Sequence, residues 1–299
     1  MRVKSLSETS KSMYTIEAPA KINLTLEVLG KRPDGYHEIR SVIQTLAFCD
    51  TLQISPAREI SFKSNLSGWS PEQSLVIKAV KLLKEATGCP GGAKIEITKR
   101  IPLMSGLGGD SSDAAAILRG LNQLWELRLT PQKLQGIAQE LGSDISFFSS
   151  GGTALMAGRG EKITPLPPMP HQWVILVIPK VPALSGKTKR LYSMLQPSHY
   201  TDGEITEKLV STLKSGQGFT SLLLFNTFEN VVFARGEELA NYRDHILKIG
   251  APNIYLAGSG PALFILLEDK ARAEDLTTRL KNQGMAAVLT KTQKLINIP

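Results

Sequence analysis

At 299 residues, with 42% apolar and 21% charged side chains and no low-complexity tract, the chain has the composition of a folded protein, and its length points to two domains of about 150 residues each. The longest apolar runs, such as Trp173–Ile178, are far too short to span a bilayer, and Cys49 and Cys89 lack the spacing of a disulfide framework or a zinc site, which leaves them as packing residues. The formal charge of +8 comes from Lys and Arg interleaved with acids along the chain, which favours a solvated surface or a small anionic substrate over a nucleic-acid face.

The opening "MRVKSLSETSKSMYTIEAPA" is basic and Ser-rich, without an apolar h-region or a cleavage pattern, and predicts a short frayed arm on a cytoplasmic protein. Ile16, Ala18, Ala20, Ile22, Leu24, Leu26 and Val28 then recur at a spacing of two, predicting one half-buried strand. Lys21, Asn23, Thr25 and Glu27 fall on its other face, so Lys21 and Asn23 project the same way, about 7 Å apart. A solvated polar face is the plain structural alternative to a functional one. Pro33-Asp34-Gly35 marks a turn, and the apolar segments after it through "SVIQTLAFCDTLQI" make the N-terminal region β-rich. Residues 74–88 show helical spacing at Leu75, Ala79, Leu82 and Leu83 and close on Gly88, after which "AKIEITKR" alternates as a strand.

That strand leads into "IPLMSGLGGDSSDAAAILRGLNQLW". Ala114, Ile117, Leu118, Leu121, Leu124 and Trp125 mark one helix face, with Ser111 or Ser112 suited to the N-cap. Gly106, Gly108 and Gly109 let backbone approach a ligand closely, and the free N–H groups of the first helical turn then favour an anion, most often phosphate. Each such bond to a charged oxygen contributes about 1.5–3 kcal/mol, so three or four can hold a polyphosphate without a loop lysine. The alternative is a tight turn packing a helix on a sheet. A Walker A loop is excluded in this stretch by the missing lysine, and "SGKT" at 185–188 has Val181 where the first glycine belongs. A dinucleotide fingerprint would need glycine where Ser111 stands, and Glu126 closes a helix rather than a second strand.

The next helix starts at Thr130 as N-cap with Pro131 first, and Gly142 ends it just before Asp144. From about Pro165 a second unit follows: a proline-rich junction, the strand "WVILVIPK", helical segments through residue 251, and "NIYLAGSGPALFILLED" as strand, glycine loop and strand. An amphipathic helix and a last strand complete it. The alternation predicts an α+β fold, with domains at 1–166 and 167–299.

These residues carry a resemblance. "PLMSGLGGDSSDAAA" resembles the central phosphate loop of the GHMP small-molecule kinases, "APAKINLTLEV" at 18–28 is similar to their N-terminal motif, and "LAGSGPALFILLED" at 256–269 resembles their C-terminal glycine motif. "PAKINL", "RPDGYHEI", "GLGGxSSDAA" and "LGSDISFF", in that order, narrow the likeness to the branch that acts on a cytidine-diphosphate alcohol; it runs from about residue 14 to 290. The resemblance implies a ribosomal-protein-S5-like N-terminal domain and a ferredoxin-like C-terminal domain. It implies a kinase using ATP and Mg²⁺, acting on that small molecule with no nucleic-acid or membrane partner, as a monomer or weak homodimer.

By the same resemblance Lys21 and Asp144 are catalytic. ATP lies along Pro102, Leu103, Met104, Ser105, Gly106, Leu107, Gly108, Gly109, Asp110, Ser111 and Ser112, and the substrate meets Asn23, Tyr36, His37, Thr188, Tyr192, Gly258, Ser259 and Gly260. Tyr36, His37 and Tyr192 would surround the cytosine, with Asn23 and Thr188 near the diphosphate. Physically, Asp144 can take the acceptor hydroxyl's proton or orient it for in-line attack, while Lys21 keeps Asp144 ionised and offsets developing charge. Otherwise Asp144 merely caps the turn "DISFF" and Lys21 is a surface residue. Two positions depart from the family pattern. Asp110 stands where a third glycine is common and is expected to orient Mg²⁺, since a carboxylate near triphosphate must turn away, cap a helix or meet a metal. Ser74 stands where Asn is usual near the adenine. Rival readings are a kinase for homoserine or a mevalonate-type alcohol, a nucleotide-binding regulator without chemistry, and a basic nucleic-acid module.

Overall fold

The structure is a computed structural model that describes residues 13–181, 186–216, 218–235 and 237–294; the predicted N-terminal arm through Lys11 and Ser12 and part of "SGKT" lie outside those residues. The first half supplies β1 (Tyr14–Asn23), β2 (Thr25–Lys31), β3 (His37–Ala57), β4 (Ile60–Ser64), α1 (Leu75–Thr87), β5 (Gly92–Thr98), α2 (Gly109–Leu124), α3 (Pro131–Leu141), α4 (Ser143–Phe148), β6 (Thr153–Gly158) and β7 (Lys162–Pro165). The second half supplies β8 (Trp173–Ile178), α5 (Lys187–Met194), α6 (Glu204–Ser215), β9 (Phe225–Asn226), α7 (Glu229–Arg235), α8 (Glu237–Lys248), β10 (Tyr255–Leu256), β11 (Leu263–Leu267), α9 (Lys270–Asn282) and β12 (Ala286–Lys291).

The 21-residue β3 is the spine of the first sheet: β1 and β2 pair antiparallel along one edge, β5 and β6 along the other. The second sheet is antiparallel in the order β10-β11-β8-β12. The architecture is therefore α+β, as the alternation predicted. The two-residue β9 leaves the second half of the chain to pair parallel with β2, which ties the halves together. No helix among the described residues is long and apolar enough to cross a membrane. Cys49 is buried, and burial with Glu17 and Asp50 nearby pushes its thiol up to about 12, so it behaves as an inert packing residue.

Two expectations are corrected here. The strand predicted from Ile16 to Val28 breaks at Leu24, because the Thr25 hydroxyl rather than a ladder carbonyl accepts the Val42 N–H at 2.9 Å, and Ser41 Oγ donates to the Thr25 carbonyl. Its polar face is also not solvated: Lys21, Asn23, Thr25 and Glu27 are all buried. Helix α6 covers its Thr25 and Glu27 end, with Thr206 N–H donating to Glu27 Oε2 at 2.7 Å and Thr206 Oγ1 bonded to Thr25 Oγ1 at 2.9 Å. A single-strand pattern contains no information about a layer that arrives 180 residues later.

Candidate active site

The glycine-rich loop between β5 and α2 is held from beneath by a buried charge cluster. Lys99 Nζ lies 2.5 Å from Asp50 Oδ2 and 2.6 Å from Asp113 Oδ2, with side-chain exposures of 2%, 0% and 1% for Lys99, Asp50 and Asp113. Asp50 Oδ1 also accepts the backbone N–H groups of Arg100 and Ile101, which fixes the path by which the chain leaves β5. Burial would push the Lys99 ammonium down, but the two carboxyl groups beside it hold it above its usual range. Burial drives Asp113 well above the ordinary carboxylate range, with the charge of Asp50 adding to the shift, and its Oδ1 has no hydrogen-bond partner. Burial thus opposes the ionisation of Asp113, while the Lys99 ammonium at 2.6 Å favours it.

Above this cluster the loop is stitched by backbone to both sheets. Lys21 N–H donates to the Leu107 carbonyl at 2.9 Å, and Ala262 N–H to the Ser105 carbonyl at 3.0 Å. Gly106 has φ of +87°, and a Cβ there would stand 2.1 Å from the Ala257 carbonyl oxygen, so only glycine permits this approach of the two glycine loops. The helix begins one turn earlier than its serines suggested. Gly108, in the left-handed region, is the N-cap of α2, while Ser111 and Ser112 lie inside the first turn. Paired glycines let the chain enter the helix directly from the turn, so no serine cap is needed.

Asp110 is a second correction at this loop. Ser74 Oγ donates to Asp110 Oδ1, and the Leu75 N–H donates to Asp110 Oδ2 at 2.9 Å. Both oxygens of Asp110 are engaged by the N-terminus of α1, so the contacts it makes are those of a helix cap rather than of the metal-orienting group expected. The two departures from the family pattern, Ser74 and Asp110, are thus one contact.

Opposite the loop, Lys21 Nζ donates to Asn23 Oδ1 at 2.8 Å, and Asn23 Nδ2 donates to Ser41 Oγ at 2.8 Å, which aims the ammonium. Asp144, in the first turn of α4, brings Oδ2 to 3.8 Å from Lys21 Nζ; the side chains are 8% and 39% exposed. A cavity of about 540 Å³ opens here, lined by Lys21, Asn23, Tyr36, Met104, Gly106, Gly108, Asp144, Thr188, Tyr192, Gly258 and Ser259. Thr188 Oγ1 and Ser259 Oγ lie 3.0 Å apart. A smaller cavity of about 200 Å³ runs along Pro102, Leu103, Ser105, Gly109, Asp110 and Ser111. Leu107 and Ser112 are fully buried beneath the loop and line neither cavity.

The aromatic residues divide. Tyr36 is 57% exposed with the Arg159 guanidinium 4.7 Å above its ring. His37 lies outside the cavity lining and stacks on Tyr192 at 4.7 Å and 20°, while Tyr192 abuts Phe228 at 4.9 Å. Burial, with Lys31 nearby, lowers the His37 pKa and favours the neutral ring. Burial, with the Asp144 charge adding to it, raises the Tyr192 phenol to about 12, so it remains protonated.

The "GHMP kinases N terminal domain" family matches residues 74–153, and "GHMP kinases C terminal" matches residues 211–286. Among curated relatives, the 4-diphosphocytidyl-2-C-methyl-D-erythritol kinase of Dehalococcoides mccartyi is 48% identical over 94% of this chain and 98% of its own length. The chain belongs to the GHMP kinases, in their 4-diphosphocytidyl-2-C-methyl-D-erythritol kinase family. The relative of the same name in Geobacillus sp. is 37% identical to this kinase over 89% of the chain and 92% of its own. A crystal structure of 4-(cytidine 5'-diphospho)-2C-methyl-D-erythritol kinase superposes with a TM-score of 0.79 at 29% identity, covering 93% of this chain and 99% of that one. Homoserine kinase from Cytophaga hutchinsonii superposes at 0.68 with 17% identity, a likeness of fold alone.

In this kinase the sequence reading missed Asp50, Lys99 and Asp113, whose spacings of 49 and 14 positions carry no local signal. It also missed Arg159 and Lys187, which line the larger cavity. Lys187 belongs to the "SGKT" stretch set aside as a false Walker ending; its lysine nevertheless reaches the site.

Proposed function

We propose that the protein transfers the γ-phosphoryl group of ATP to the 2-hydroxyl of 4-diphosphocytidyl-2-C-methyl-D-erythritol, giving the 2-phosphate and ADP in non-mevalonate isoprenoid precursor synthesis. The observation that carries this reading is one cavity holding the Lys21–Asp144 pair between the glycine loop at the start of α2 and the rings of Tyr36 and Tyr192. The free N–H groups of the first turn of α2, with residues 102–112, take the ATP phosphates. Tyr36, His37 and Tyr192 form the nucleobase wall, His37 acting through the Tyr192 ring, and Asn23, Thr188 and the Gly258–Gly260 turn meet the rest of the acceptor.

Asp144 accepts the hydroxyl proton or orients that hydroxyl, and the 3.8 Å gap to Lys21 leaves its oxygens free to do so. Lys21, aimed by Asn23, stabilises the ionised carboxylate and the charge that spreads over the moving phosphoryl group. Mg²⁺ bound with the nucleotide would neutralise triphosphate charge while drawing most of its ligands from phosphate and water, a mode that suits the lack of a three-acid cluster among the described residues. Ser111, which lines the smaller cavity, would face it. The catalytic unit is 1–166 and the substrate-side unit 167–299, acting in the cytoplasm as a monomer or weak homodimer.

The test is ADP release by purified protein with ATP and Mg²⁺, offered 4-diphosphocytidyl-2-C-methyl-D-erythritol, the uncytidylated phosphate, homoserine or mevalonate. Turnover with the cytidylated alcohol alone is expected. Turnover with homoserine or mevalonate instead would keep the phosphate loop but overturn the assignment of the aromatic wall.

A further inference from the structure

Lys187, in the larger cavity, has no part in the scheme above. Lys187 begins α5, and its Nζ lies 3.3 Å from the position a Cβ on Gly260 would take; Lys21 Nζ lies 3.1 Å from the corresponding position on Gly258. Two ammonium groups therefore bracket the Gly258–Gly260 turn. They differ in company: Lys21 faces Asp144, whereas Lys187 forms no ion pair among the described residues. The neighbouring Thr188 locks α5 to the same turn through Ser259 at 3.0 Å. The charged groups sharing the cavity with Lys187 are Lys21, Asp144, Arg159 and Lys189. Three of these four are cations, so this end of the cavity is prepared for an anion.

The anion is identified by position. The function proposed above gives the nucleotide triphosphate to the N-terminus of α2. Tyr192 lies five residues along α5 from Lys187, an axial distance of about 7.5 Å and roughly the span of a ribose between its base and its phosphate. A base against Tyr192 thus brings its 5'-diphosphate to Lys187. Resting on the function proposed above, we infer that Lys187 holds the diphosphate of the acceptor between α5 and the Gly258–Gly260 turn, and so selects a nucleoside-diphosphate alcohol over an uncharged one.

A consequence for pH follows. Burial lowers the Lys187 ammonium to about 8 in the free protein, so it binds an anion fully only below that pH. Its loss of charge then limits kcat/KM for the acceptor on the alkaline side, and a bound diphosphate restores the proton.

Lys187→Met and Lys187→Arg test this by calorimetric binding of CDP and of cytidine, with the ATP site saturated by a non-hydrolysable analogue. The Met variant is expected to weaken CDP about tenfold or more while cytidine changes less than twofold. In turnover it should raise the acceptor KM by a similar factor and leave the ATP KM unchanged. The Arg variant should keep CDP affinity and extend the kcat/KM plateau beyond about pH 8. Equal weakening of CDP and cytidine, or unchanged CDP affinity in the Met variant, would overturn the assignment. Because CDP binding needs no turnover, its result stands apart from the acceptor test above; wild type that releases no ADP with the cytidylated alcohol would sink that function instead.

Discussion

Two lysine–aspartate groups lie within the same half of the molecule and do opposite work. Around Lys99, three side chains at 2% exposure or less are closed on one another, and the spare oxygen of Asp50 goes to the backbone of Arg100 and Ile101. Around Lys21, Asp144 stands back at 3.8 Å with 39% of its side chain open to the cavity. The chemistry of the groups is identical; what differs is whether the carboxylate has unsatisfied lone pairs facing a ligand. The closed group converts ion pairing into a fixed loop, and the open one leaves a polarised oxygen in the cavity beside the glycine-rich loop.

The largest effects that separate the two groups concern their acids and bases. Asp144→Asn keeps the volume and loses the charge, so kcat should fall about 10² to 10⁴-fold with ATP affinity and melting temperature nearly unchanged. A loss below about tenfold would make Asp144 an orienting group rather than a base. Lys99→Met should do the reverse: it strands a carboxylate in the interior and costs about 3–5 kcal/mol in urea unfolding. Asp113→Asn sharpens the point: burial favours the neutral carboxyl, which an amide resembles, so this variant should cost less than Lys99→Met. A cost for Asp113→Asn as large as that of Lys99→Met would show that Asp113 is ionised and that the cluster is a true triad.

The contrast also explains what the amino-acid order reveals. Helices α1 and α3 end where the order predicts, since Ser74, Gly88, Thr130, Pro131 and Gly142 act on backbone within a few residues of themselves. The glycine loop was legible for the same reason, as its conformation is a local property of Gly106, Gly108 and Gly109. Lys21 and Asp144 were found only through family resemblance, because 123 positions separate them and neither has a local signature. The Lys99 cluster, the capping of α1 by Asp110 and the approach of Lys187 to Gly260 are all products of tertiary assembly. Burial of Lys21 is of this kind too: the pattern placed it on a polar face, and the glycine turns at Gly108 and Gly258 then closed over it.

A smaller effect of opposite sign comes from Glu229 at the edge of the second sheet. Its Oε1 accepts the Leu256 N–H at 2.8 Å, just before the turn at Gly258, and burial raises its carboxyl from 4.5 to about 7. The folded state therefore binds the proton more tightly than the unfolded state, so stability is favoured at low pH and falls as pH rises from about 4.5 through about 7. Glu229→Gln keeps the acceptor and removes the charge. It should stabilise the protein at pH 8 by on the order of 2 kcal/mol and change little at pH 5, read by urea melts at the two pH values. Equal curves at pH 8 would place the Glu229 carboxylate in contact with solvent.

The smallest effect tests the boundary between the phosphate loop and its support. Asp110 sits in the first turn of α2, where the charge of a bound triphosphate would repel it, yet its oxygens face Ser74 and Leu75. The N-terminus of α1 thus draws the carboxylate away from the anion site, and the loss in Asp110→Ala is that of a helix cap, about 1 kcal/mol. The same variant should leave the Mg²⁺ concentration giving half-maximal activity unchanged and should not raise the ATP KM, since a repulsive charge has been removed rather than a ligand. A several-fold rise in the Mg²⁺ requirement with unaltered stability would return Asp110 to the metal, and the closed, load-sharing side of the loop would then end at Asp113 rather than include the turn above it.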